Sequence, residues 1–165
     1  MKVEAARPAK AGLDVRIERL APMRVAYVRA VSRTPEQDAW SRLRAWADGA
    51  GFLHDPGGHP VFGFNNPPPT RDSAEYGYEI WVGIDPECVP PTGIGVKDFP
   101  GGRYAVTSCA LRGSVGVPEA WKALLRWVHA SPYKWRRTTH ELERMANPDS
   151  AEDEVVPDLY LPLED

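Results

Sequence analysis

The sequence predicts an α+β fold: a duplicated β-α-β-β module with pseudo-twofold symmetry, an antiparallel sheet, two main helices on one face and a central groove. Three observations carry this expectation. "AWSRLRAW" at residues 39–46 returns as "AWKALLRW" at 120–127, so that Trp40, Leu43 and Trp46 recur 81 positions later as Trp121, Leu124 and Trp127. Asn66-Pro67, after the third apolar run, returns at the same offset as Asn147-Pro148. Arg24-x-Ala26 returns 79 positions on as Arg103-x-Ala105. Agreement at three kinds of element, at about half of a 165-residue chain, points to an internal duplication.

From Leu13 onward, "DVRIERL" and "MRVAYVRAV" read as strands, rich in β-branched residues and separated by Ala21-Pro22. A helix follows, with Thr34 as N-cap and Pro35 at its first position. Trp40, Leu43, Trp46 and Ala47 then share one helical face, and Gly49 and Gly51 end it. "PVFGFNN" and "EYGYEIWVGID" read as the next two strands, joined by a proline-rich loop. The order then repeats. "IGVKDF" and "RYAVTSCAL" flank the turn Pro100-Gly101-Gly102, and Pro118 opens a helix carrying Trp121, Leu124, Leu125 and Val128. "THELERMAN" and "PDLYLPL" close the chain. The expectation is a single domain over 13–165, with half-repeats 13–90 and 91–165 and a flexible tail at 1–12. One half cannot cover its own sheet, so two are needed, and the tryptophan stripes anchor the helices to the core without chemical roles.

Composition is that of an ordinary globular domain, with 42% hydrophobic and 26% charged residues and a net charge of −3. No basic balance favours nucleic acid, and no apolar run approaches the roughly 20 residues that span a bilayer. Cys88 and Cys109 are too few for a disulfide framework or a zinc site, and "MKVEAARPAKAG" lacks the apolar core of a signal peptide. A cytoplasmic, soluble protein is expected. No motif demands a cofactor or a metal. His54 and His59 in "HDPGGH" fit no standard metal spacing, and "GIGVKDFPGG" is not followed by a helix that could present its N-terminus to phosphate. "KWRRTTH" at 134–140 reads as a short, solvated cationic run, and Ser108, Cys109 and His140 form no triad spacing.

Strand alternation singles out the candidate site, because residues i and i+2 share a face. In "YGYEIWVGI" the positions Tyr76, Tyr78, Ile80, Val82 and Ile84 suit packing under a helix. The other face carries Gly77, Glu79, Trp81 and Gly83, and strand glycines mark a close approach to the backbone. "PDLYLPL" likewise sets Leu159, Leu161 and Leu163 against Asp158, Tyr160 and Pro162. The repeat offsets match Glu79 with Asp158, Trp81 with Tyr160, Phe62 with Glu143 and Phe64 with Met145. A groove on the face away from the helices is therefore expected, lined by Phe62, Phe64, Glu79, Trp81, Glu143, Met145 and Tyr160. Acid beside aromatic is the composition of a cation site. A cation over a ring gains about 0.5–2 kcal/mol. A carboxylate about 4 Å away adds about 4 kcal/mol at an effective dielectric of 20.

The order and spacing of "GFNNPPP", "YGYEIWVGID", "FPGGRYAVTSCALRG", "AWKALLRWV", "HELERMANP" and "DLYLPL" resemble the GyrI-like small-molecule-binding domain, which also serves AraC- and MerR-type transcription regulators as an effector-binding domain. The resemblance covers about residues 13–163. It implies a duplicated module with a ligand groove for bulky, cationic or planar aromatic compounds. The family's groove glutamate falls on Glu143, and Met145 stands where the family has an aromatic residue. It implies a small-molecule ligand and, since no helix-turn-helix fits in 1–12, no direct nucleic-acid binding. Two alternatives follow from the same resemblance. One is a hydrolase of electrophilic compounds, with Glu143 as general base and Tyr160 or Glu79 as proton donor. The other is a protein-interaction module that inhibits a partner such as DNA gyrase.

Overall fold

The computed structural model describes residues 4–5, 13–109, 116–148 and 157–165. Its strands are β1 (Glu4–Ala5), β2 (Arg16–Leu20), β3 (Met23–Ser32), β4 (Val61–Asn65), β5 (Tyr76–Ile84), β6 (Gly95–Phe99), β7 (Gly102–Ser108), β8 (Leu142–Met145) and β9 (Pro157–Leu163). The helices are α1 (Pro35–Gly49) and α2 (Val117–His129). Strand pairing is antiparallel, and the α+β class expected from the sequence is the one observed. Within the segment read as a tail, Glu4 and Ala5 pair with Ile17 and Arg16, and the rest of it lies outside the described residues. Among the described residues no helix is long and apolar enough to cross a membrane.

Two compact units divide the chain. One comprises Met1–Pro22, Pro100–Arg144 and Val156–Asp165, and the other Met23–Phe99 and Met145–Val155. These units are not the two sequence halves. β2 pairs with β7, and β6 pairs with β3, so each half contributes its opening strand to the unit built mainly by the other.

In the second unit the strand order is β4-β5-β3-β6. Ala26, Val28, Ala30, Tyr78, Ile80, Val82 and Ile84 form the face on which α1 lies. Trp40, Leu43 and Ala47 project from α1 into that face at helical spacing, with Leu43 fully buried. Burial of a leucine contributes about 2 kcal/mol, so this stripe fixes the helix more firmly than its caps do. Thr34 stands at the expected N-cap, but its side chain makes no capping bond. Its hydroxyl and that of Ser32 donate instead to the Asp38 carboxylate. Gly51, at φ 81°, turns the chain out of α1 into a short 3-10 turn, Phe52–His54.

In the first unit the order is β1-β2-β7-β9-β8. Leu159, Leu161 and Leu163, the alternation expected for β9, pack with Ala120, Leu124, Trp127 and Val128 of α2. Both tryptophan stripes therefore anchor helices. Trp46 and Trp121 are the partly buried members, at positions that do not correspond, since the offset pairs Trp46 with Trp127 and Trp40 with Trp121.

Candidate functional site

On β5 the odd positions do face away from α1, as expected, but that surface is buried: Glu79 is 2% exposed, Trp81 6%, Phe62 0% and Phe64 4%. The register places Phe64 opposite Glu79 and Phe62 opposite Trp81. Trp81 meets Phe64 edge-on at 5.0 Å and Phe99 at 5.3 Å between ring centroids. A cation is already present in this cluster. Lys97 Nζ donates to Glu79 Oε1 at 2.6 Å, and lies 4.2 Å from the Tyr27 ring centroid and 5.0 Å from that of Trp81. The acid-aromatic pattern is thus satisfied from within the chain. Glu79 Oε2 and Trp81 Nε1, both buried, have no hydrogen-bond partner.

The strand glycines have the same internal explanation. A Cβ on Gly77 would lie 1.8 Å from the Asn66 carbonyl oxygen, and one on Gly83 would lie 2.9 Å from Cδ of Pro60. The close approach that they signal is made by the protein's own backbone and proline rings. His59, in the "HDPGGH" loop, bonds through Nδ1 to the Gly83 carbonyl at 2.7 Å and stacks on Phe52. Among the described residues no group of His, Cys, Asp and Glu has the arrangement of a metal site.

In the first unit Tyr160 is fully buried on the face of β9 opposite its leucines. Its hydroxyl donates to Glu18, with 3.4 Å to each carboxylate oxygen, and accepts from Arg144 Nη1 at 3.4 Å. Arg16 joins Glu18 at 3.1 Å and Asp158 at 3.5 Å. Burial pushes the Tyr160 phenol above its usual range, against the hydrogen bond from Arg144 and with the help of the Glu18 charge.

Glu143 lies elsewhere. Its Oε1 accepts a hydrogen bond from Nε1 of Trp121, on α2, at 3.3 Å. Since Arg144 reaches Tyr160 and Glu143 reaches α2, adjacent β8 residues point to opposite faces, as the pleat requires. Glu143 is therefore on the helix-bearing face, not on the face shared by Tyr160 where the repeat arithmetic put it. Met145 shares this parity and packs, partly buried, against the α1 cluster of the second unit. The offset failed because β8 and β4 do not present equivalent positions: Phe62 faces away from its helix, and Glu143 faces toward one.

Sequence reasoning missed Lys97, Glu18, Arg144 and the polar role of Trp121. Lys97 had a usable signal, since Gly95, Lys97 and Phe99 alternate on one face of β6. Glu18 had a weaker one, as a lone acid between Ile17 and Leu20. Trp121 had none, because both tryptophan stripes look alike.

No curated protein is similar enough in sequence to match. Solved structures with the same fold include SAV2435 bound to tetraphenylphosphonium, at 15% identity and a TM-score of 0.55, covering 92% of this chain and 94% of that one. The C-terminal domain of EcmrR aligns at 13% identity with a TM-score of 0.62, over 92% of this chain and 98% of that one. A hydrolase from Listeria innocua aligns at 10% identity with a TM-score of 0.60, over 91% of each chain. At these identities the likeness is one of fold. A family model describing the GyrI-like small molecule binding domain matches residues 13–164, and with that match the chain belongs to the GyrI-like family.

Proposed function

We propose that this domain holds bulky lipophilic compounds, cationic or planar aromatic, and that Glu143 supplies the charge that selects them. The observation that supports this most directly is the Glu143–Trp121 pair. A half-buried carboxylate stands beside a half-buried indole, on a helix whose other large residues are committed to the core. A lipophilic cation there gains from the carboxylate and from ring contact together. Phe62, Phe64, Trp81 and Tyr160 enter this proposal as the buried support of the strands. Glu79 stays outside it, buried and paired with Lys97. That SAV2435 binds tetraphenylphosphonium supports a lipophilic cation as the first probe.

Thermal unfolding with tetraphenylphosphonium and with cationic dyes tests the reading. The expected result is a raised Tm that Glu143→Gln removes while leaving the ligand-free Tm within a few degrees. An equal shift in the variant overturns the role of Glu143, and no shift with any lipophilic cation overturns the ligand class.

A second reading is hydrolysis, favoured by the fold shared with a Listeria innocua hydrolase. Glu143 would then deprotonate water for attack on an electrophilic ligand. Tyr160 is a poor proton donor for that step, because its buried hydroxyl lies across the sheet from Glu143. Mass spectrometry after incubation with electrophilic compounds separates the readings: turnover lost in Glu143→Gln supports hydrolysis, and intact bound ligand supports binding alone.

A further inference from the structure

The first unit contains a cavity of about 940 Å³ that no acid-aromatic reading explains. It opens beside the Pro100-Gly101-Gly102 turn, and Arg19, Arg103 and Arg136 line it together with Leu20, Pro22 and Asp165. Arg19 and Arg103 are direct cross-strand partners on β2 and β7. Like charges so placed destabilise a sheet unless an anion lies between them. Arg136 belongs to the run "KWRRTTH" expected to be solvated, yet it is half-buried here, its backbone N–H held by the Pro162 carbonyl at 2.8 Å.

Asp165 at present supplies the anion. Its carboxylate accepts from Arg19 at 2.9 Å and from Arg136 at 3.2 Å. The hydrogen bond from Arg19, helped by the charges of Arg19, Arg136 and Arg103, holds its carboxyl below the usual range. Two features show that this arrangement leaves binding capacity over. Asp165 is 66% exposed, so little packing is lost when it leaves. Arg103 gives one hydrogen bond to the Glu164 carbonyl at 3.1 Å, while its buried Nε has no partner. Three guanidiniums line the cavity, and Asp165 brings the single carboxylate side chain among its lining residues.

We propose that this cavity is a second ligand site, for a small organic phosphate whose dianionic head displaces the Asp165 carboxylate and whose apolar body lies against Leu20 and Pro22. Guanidinium pairs recognise phosphate through two parallel hydrogen bonds, which a single aspartate shared between two arginines does not exploit.

Calorimetric titration of the full chain with phenyl phosphate, inorganic phosphate and phenol tests the proposal. Phenyl phosphate should bind more tightly than inorganic phosphate, and phenol should not bind. Arg103→Met should weaken phenyl phosphate by roughly tenfold or more, as expected for loss of a charged hydrogen-bonding group. Arg19→Met, at a more exposed position, should weaken it in the same direction and covers the case in which Arg103→Met does not fold. Asp165→Asn should tighten binding several-fold, and Glu143→Gln should leave it unchanged. Absence of phenyl phosphate binding overturns the site, as does binding indifferent to both arginine variants. Weaker binding in Asp165→Asn overturns displacement.

Discussion

Lys97 Nζ lies 2.6 Å from Glu79 Oε1 and within 5.0 Å of the ring centroids of both Tyr27 and Trp81, so the most cation-like cluster of the second unit contains its own cation. The pair is unequal. The Glu79 side chain is 3% exposed and that of Lys97 37%. Glu79 thus depends on Lys97 more than Lys97 depends on Glu79. Lys97→Met keeps the stem and removes the charge, leaving a buried carboxylate without its counter-ion. Losing one partner of a buried pair costs about 3–5 kcal/mol, and the exposure of Lys97 moves the expected loss to about 2–3 kcal/mol. Adding Glu79→Gln should restore much of it, because an amide needs no counter-charge. Urea denaturation of the two single variants and the double variant gives the coupling directly. Additive losses would show that the ion pair does not hold the cluster.

The strand glycines give a sharper test of self-packing. Gly77→Ala would put its methyl carbon 1.8 Å from the Asn66 carbonyl oxygen, a backbone atom that cannot swing aside. The β4–β5 connection must distort, and a loss of about 3 kcal/mol or more in chemical denaturation is expected. Gly49→Ala serves as the contrast. Nothing lies within 4 Å of its Cβ position near the end of α1, so alanine should stabilise by about 0.5–1 kcal/mol.

These two cases show what was legible in the sequence and what was not. Period-two alternation on β5 and β9 and the 3.6-residue stripes on α1 and α2 place the helix-facing residues correctly, because burial under a helix selects large apolar side chains at each such step. The opposite faces read as an open groove, since Glu79 with Trp81 and the glycines describe a receptor. What the pattern cannot carry is the identity of the occupant. Lys97 comes from β6, far along the chain from the cluster that it fills, and Asn66 reaches Gly77 through the connection between β4 and β5. Glu143 shows a different limit. Repeat arithmetic transfers the face of Phe62 only if the two strands present the same face at that offset, and they do not: Phe62 lies opposite Trp81, and Glu143 reaches α2.

Alkaline pH should expose the buried phenols. Tyr104 is 2% exposed, and burial pushes its pKa up to about 12, against the opposing charge of Arg136. In the unfolded chain a tyrosine titrates near 10. Because the folded value is the higher one, its contribution to stability is complete below pH 10 and is lost as pH climbs toward 12, on the order of 2 kcal/mol in all. Tyr76 is also pushed up to about 12, by its hydrogen bond to Glu36, and titrates in the same window. Tyr104→Phe should therefore flatten the fall in denaturation midpoint between pH 10 and 12 without abolishing it. A slope identical to that of the unsubstituted protein would show that Tyr104 ionises as readily folded as unfolded.

The repeated tryptophans separate anchoring from binding. Trp127 is buried with Leu124 and Val128 and stacks on Tyr133 with 6.2 Å between ring centroids, whereas Trp121 is half-buried and gives its indole N–H to Glu143. Trp127→Phe should lower Tm by removing packed area, a loss of about 1–2 kcal/mol, while the ligand-induced shift with tetraphenylphosphonium stays the same. Trp121→Phe should do the reverse. It preserves a ring on α2 but removes the hydrogen bond that orients the carboxylate, so ligand-free Tm should change little and the ligand shift should shrink. Parallel melting curves of the two variants, with and without the cation, decide it. Equal ligand shifts in both variants would mean that Trp121 only anchors α2, and that the carboxylate beside it does not depend on the indole for its position.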